Sequence, residues 1–97
     1  MKFAFLIMGH FDAERDSISI GKDTETARMI GVADIEEACT VAKKLCEEGI
    51  DCLELCGAFG ENGAKKIANA TGNRLPVGYV VHAPEQNDLF DSLFSRP

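Results

Sequence analysis

At 97 residues, 45% hydrophobic and 27% charged, the chain has the size and composition of one ordinary globular domain rather than a disordered segment. Its net charge is −6, and its adjacent cationic pairs, Lys43-Lys44 and Lys65-Lys66, fall on predicted helices. There is no basic stripe to neutralise phosphates, which excludes nucleic-acid binding from the expectation. No apolar run approaches the ~20 residues that a membrane span needs.

Residues 3–9 are almost continuously apolar and predict a first strand covered on both faces, as in parallel sheets flanked by helices. Its core, Phe3 to Met8, is shorter than the ~7–15 apolar residues of a secretory signal, and no small-residue cleavage site follows it. The expected location is therefore the cytoplasm. After a polar loop at 11–16, Ser17-Ile18-Ser19-Ile20 alternates with period two, as a short half-buried strand does. Gly21-Lys22-Asp23-Thr24 predicts a turn, and residues 26–32 the second strand of a hairpin.

Asp34 followed by Glu37 forms a capping box that opens a helix over 35–48. Ile35, Ala38, Cys39, Ala42, Leu45 and Cys46 share one of its faces, and Gly49 supplies the left-handed stop. Ile50 to Leu55 predict a strand. The turn Gly57-Ala58-Phe59-Gly60 leads into a helix over 61–71 with Ala64, Ile67 and Ala68 inward. Pro76 to Val81 predict another strand, with proline at its start where no ladder donor is missed. Pro84 suits the first turn of a last helix, whose apolar stripe is Leu89, Phe90, Leu93 and Phe94. The order predicts a single α/β domain over 1–97. Its mostly parallel sheet has about four strands joined by right-handed βαβ crossovers, with an N-terminal hairpin and a C-terminal helix.

In open parallel sheets ligands bind beyond the carboxyl ends of the strands. The residues that fall there include both histidines, His10 and His82, and the run Cys56 to Gly63. If the first strand is parallel to the others, His10 and His82 share one edge with Cys56 between or beside them. The candidate catalytic residues are His10, Glu54, Cys56 and His82. Cys56 precedes a helix start, where a thiol can be activated, although a buried inert thiol is the commoner case. Glu54 lies mid-strand, where a carboxylate either finds a partner, carries a raised pKa, or faces solvent. Gly57, Phe59, Gly60, Glu61 and Glu85 are the candidate ligand-binding residues. The glycines let backbone N–H groups face a ligand, and Glu61 in the first helical turn disfavours a highly charged phosphate. Phe11 and Phe59 lie in loops near the same edge, and the ring of Tyr79 is expected to pack. No metal site is predicted, because His10, Cys56 and His82 lack short ligand spacing. Nothing in the motifs names a cofactor or a reaction.

Two functions compete. One is small-molecule binding at the carboxyl ends of the strands. The other is a non-catalytic homo-oligomeric structural or interaction module. So much apolar content in so short a chain favours self-association, with a dimer expected and the terminal stripe packing either within the chain or across the interface.

Three segments, Phe5-Leu6-Ile7-Met8-Gly9-His10, Glu54-Leu55-Cys56-Gly57-Ala58-Phe59-Gly60 and Pro76-Val77-Gly78-Tyr79-Val80-Val81-His82-Ala83-Pro84-Glu85, carry a resemblance. Over nearly its whole length the chain resembles a family of small prokaryotic proteins with a domain of unknown function. That resemblance implies no activity. The strand–glycine turn–helix–strand stretch is also similar to segments of (β/α)-barrel enzymes, a generic likeness that transfers no catalytic residue.

The four cysteines, Cys39, Cys46, Cys52 and Cys56, include no Cys-x-x-Cys pair. Cys39 and Cys46 are about 10 Å apart along a helix axis, and Cys52 and Cys56 about 13 Å apart along a strand. Both separations exceed the ~7 Å reach of a bridge. Thiol titration of the denatured protein, prepared without reductant and protected from air, is expected to count four free groups; a count of two would contradict this reading.

Overall fold

The structure, a computed structural model, describes residues 1–21 and 27–96. Five strands form one sheet: β1 (Phe3–Met8), β2 (Ser17–Ile20), β3 (Ala27–Val32), β4 (Cys52–Leu55) and β5 (Val77–Tyr79). The helices are α1 (Ile35–Glu47), α2 (Gly60–Ala70) and α3 (Asn87–Phe94), with 3-10 turns at Gly57–Phe59 and Pro84–Gln86. The expected α/β class, parallel crossovers, hairpin and terminal helix are all present, with five strands in place of about four. Lys22, Asp23 and Thr24 of the predicted turn, and Thr26 at the predicted start of the next strand, lie outside the described residues.

The strand order is β2-β3-β1-β4-β5. β1 is parallel to both β3 and β4, β5 is parallel to β4, and β2 alone is antiparallel, hairpinned to β3 at one edge. The chain passes from β3 over β1 to β4 through α1, then from β4 to the adjacent β5 through α2. Both crossovers step the same way across the sheet. Right-handed crossovers that step the same way place their helices on the same face, and α1 and α2 pack against each other there.

That face holds the core. Ala4 and Leu6 of β1, Ile30 and Val32 of β3, and Leu53 and Leu55 of β4 alternate inward against Ala38, Ala42 and Leu45 of α1 and Ile67 of α2. Each fully buried leucine contributes roughly 1.5–3 kcal/mol. Helix α1 begins where the sequence predicts. The Asp34 carboxylate accepts the N–H of Glu37 at 2.8 Å, and the Glu37 carboxylate accepts the N–H of Ala33, one residue before the cap, also at 2.8 Å. Gly49 stops the chain in the left-handed region at φ +91°. An ion pair of 3.3 Å ties Arg28 of β3 to Glu48 beside the end of α1.

The first strand corrects an expectation. It is not covered on both faces by this chain, because α1 and α2 lie on one side and α3 packs mainly on the turn before it. The alternate residues Phe3, Phe5 and Ile7 are only half-buried. By register they share the uncovered face with Met29 and Gly31 of β3, Cys52 and Glu54 of β4, and Ile18 and Ile20 of β2. The continuous apolar run of β1 therefore reflects two apolar faces, only one of which this chain covers with helices.

Phe11 folds back onto this face. A Cβ on Gly31 would lie 2.6 Å from Phe11 Cγ and 2.7 Å from its Cβ, so the ring root sits directly on the glycine backbone. Gly31→Ala is expected to destabilise the protein by about 1–3 kcal/mol through overpacking, and by much less in a Phe11→Gly background, which removes the Cβ as well as the ring. Urea denaturation of the two single variants and the double variant checks this coupling; additive costs would contradict it.

Candidate ligand-binding site

Because β1, β3, β4 and β5 are mutually parallel, their carboxyl ends open on one edge of the sheet. His10 follows β1, Cys56 follows β4 and His82 follows β5, so all three fall on that edge. Cys56 lies between the histidines, since β4 separates β1 from β5. The two outer strands are about 10 Å apart.

Beyond the ends of β4 and β5 lies a cleft of about 850 Å³. It is lined on one side by the turn at Gly57, Ala58 and Gly60, and otherwise by Tyr79, Val80, Val81 and His82 at and after the end of β5 and by Phe90 and Phe94 of α3. Local sequence explains each part. Gly60 adopts φ +64°, which a glycine reaches without strain, and this lets the 3-10 turn run directly into α2. Val80 still donates its N–H to Leu55 at 2.9 Å, but neither Val80 nor Val81 continues the strand, and their side chains are left exposed. Pro84, with φ fixed, turns the chain into α3.

His82 holds α3 in place. Its ring stacks on Phe90 with centroids 4.1 Å apart and planes 10° apart. Its Nε2 lies 2.8 Å from Asn87 Oδ1. Phe94 extends the stack, with its centroid 6.1 Å from that of Phe90.

The residues singled out from sequence divide accordingly. Gly57, Gly60 and His82 line the cleft. His10 shares the edge but does not line the cleft. The Cys56 Sγ accepts the N–H of Met8 at 3.4 Å, which directs the thiol toward β1 and away from the cleft. Phe59 is buried in the core beneath the turn, against Gly63. Glu61 pairs with Lys65 on the exposed side of α2 at 3.3 Å, and Glu85 is exposed on the 3-10 turn. Glu54 is exposed on the uncovered sheet face, where its carboxylate lies over Gly78, an Oε2 only 2.8 Å from where a Cβ would stand. The solvent-facing alternative for that residue is the one the fold adopts.

Sequence reasoning missed Ala58, Tyr79, Val80, Val81, Phe90 and Phe94 as site residues. Phe90 and Phe94 were legible only as part of an apolar stripe, and the structure divides that stripe. Its phenylalanines line the cleft, Phe94 while 77% exposed, and Leu89 and Leu93, 69% and 50% exposed, do not.

All four cysteines are free. Burial pushes the Cys52 thiol above its ordinary pKa, and the Glu54 and Asp51 carboxylates push it the same way. That thiol is therefore neutral at physiological pH and is not an activated nucleophile. Among the described residues, no three His, Cys, Asp or Glu side chains cluster as metal ligands, and no helix is long and apolar enough to cross a membrane.

These features define a small α/β protein with one helical layer and an apolar, ligand-sized cleft at the carboxyl edge of its sheet. The chain belongs to the family of unknown function DUF6506, whose model matches residues 1–95. No curated protein and no solved structure matches it.

His82→Ala removes both the ring stack, worth about 0.5–1.5 kcal/mol, and the bond to Asn87. Amide exchange over 87–94 is expected to accelerate while protection in β1 and β4 is retained. Hydrogen-exchange mass spectrometry reads the difference; unchanged exchange in α3 would show that His82 does not hold it.

Proposed function

We propose that the protein binds a small, flat, mainly apolar molecule in the cleft between the carboxyl ends of β4 and β5 and helix α3. The observation that carries this reading is the cleft itself. Its volume of about 850 Å³ falls within the ~300–1,000 Å³ of small-molecule sites. It lies where ligands of open parallel sheets lie.

The lining supports the ligand class. His82 and Phe90 present a stacked aromatic wall, and the glycine-alanine turn leaves room for a ring. The Tyr79 phenol and the backbone of the turn offer a few polar contacts to orient a ligand, the usual composition of such sites. Among the described residues no lysine or arginine lines the cleft, and Glu61 adds negative charge to the first turn of α2. Both facts disfavour a phosphorylated ligand. Tyr79 and His82 are the only titratable side chains among the lining residues, so the reading is one of binding, with no reaction attached.

Indole and 2-naphthol serve as probes. Nuclear magnetic resonance titration is expected to shift amides at 57–60 and 79–82, and bound probe to raise the melting midpoint as mass action requires. Ala58→Trp, at an exposed turn position, fills the cleft and is expected to abolish both effects while leaving the unliganded midpoint unchanged. Shifts confined to other surfaces, or full binding by the Trp variant, would overturn the reading.

A further inference from the structure

The uncovered face of the sheet has the polarity of an interior. In β2, Ser17 pairs with Ile30 and Ser19 with Arg28, which puts both serines on the helix side, while Ile18 and Ile20 take the uncovered side. A sheet face that meets water ordinarily carries the polar half of the alternation. Here the order is inverted, and Ile18 and Ile20 are left 58% and 49% exposed. Across β3 and β1 the apolar surface continues through Met29, which pairs with Ile18, and Phe5, which pairs with Met29. Glu54 is the one charged residue among the described strand positions on this face.

We infer that this face is a homodimer interface, covered in solution by the same face of a second copy. The inference is independent of ligand binding in the cleft. Four strands spaced ~4.8 Å, two of six residues and two of four at ~3.3 Å per residue, give a patch roughly 19 Å wide and 13 to 20 Å long in plan. Side-chain relief and the rim formed by β5 and the Phe11 loop carry its accessible area toward the ~800 Å² per partner of a standard interface. Two such faces pack ~10 Å apart as a sheet sandwich.

Charge selects the occupant. Arg15 and Asp16, of opposite charge, border this face, no lysine or arginine stands among its described strand positions, and the chain, of net charge −6, is repelled by an anionic bilayer. A second copy meets the face with equal polarity. Glu54 stands on β4, at one margin of the patch. A dyad parallel to the strands and between β1 and β3 sets β4 of each copy over β2 of the other. The two Glu54 carboxylates are then three strand widths apart, about 14 Å, and neither is driven into the apolar centre.

Sedimentation analysis at micromolar concentration is expected to give twice the 10.5 kDa chain mass. Ile18→Glu and Ile20→Glu, each at an exposed position, are expected to raise the dissociation constant at least tenfold with unchanged circular dichroism. Leu89→Glu with Leu93→Glu, outside the face, is expected to leave the dimer intact. In the unmodified protein the alkylation rate of Cys52, which lies on the face, should rise on dilution, while that of Cys39 on α1 should not. A monomer at all concentrations would overturn the inference, as would a monomer captured by phosphatidylcholine vesicles. A dimer dissociated by the α3 substitutions but not by those in β2, or a Cys52 rate indifferent to dilution, would do the same.

Discussion

Right-handed crossover connections are the constraint on which the rest of this structure depends. Two βαβ units stepping in the same direction across a sheet have to lay their helices on one side of it. From that follow the single core layer, in which Leu6, Leu53 and Leu55 are fully buried beneath α1 and α2, and the bare second face with Phe3, Phe5 and Ile7 half-buried. The crossovers also bring the ends of β3, β4 and β5 to one edge, because each returns the chain to its starting end, and the intervening antiparallel β2 sets β1 in the same direction.

At that edge the chain leaves the sheet before its apolar sequence is exhausted. Val80 and Val81 lie past the last strand residue, and α3 has no part of the core to enter. Its own aromatic residues supply what it packs on, through the stack of His82, Phe90 and Phe94. A helix of eight residues has little intrinsic stability, so side-chain contacts with the segment before it decide where it sits. The cleft exists because α3 is held beyond the sheet by a histidine clamp instead of being buried against it.

The bare face illustrates how glycine placement shapes a surface. Gly31 lets Phe11 lie on the backbone of β3, and Gly78 leaves room for the Glu54 carboxylate. The first brings an aromatic ring onto the face. The second accommodates its charged residue toward β5 and away from Phe5. The serine-isoleucine alternation of β2 then acquires a meaning that a lone edge strand would not have, since its apolar half continues the surface of β3 and β1.

Local chemistry was sufficient to read the elements. Asp34 and Glu37 with Gly49 bound α1, Gly72 follows α2, and the apolar runs at β1, β4 and β5 mark strands, because caps, stops and strand alternation act over a few residues. The convergence of His10, Cys56 and His82 on one edge was legible only as a consequence of parallel order, and it hung on the direction of β1. What an edge residue then does was not legible. Cys56 turns to the Met8 amide, Phe59 drops into the core, and His82 turns to Asn87 and Phe90. Nor could an uninterrupted apolar strand say whether one face or both would be covered by helices, since the composition of β1 is the same in either case. Sequence by itself determined the elements, their order and their caps. Tertiary structure decided the coverage of each face and the direction of each site side chain, because both depend on the handedness of connections and on contacts between residues far apart in the chain.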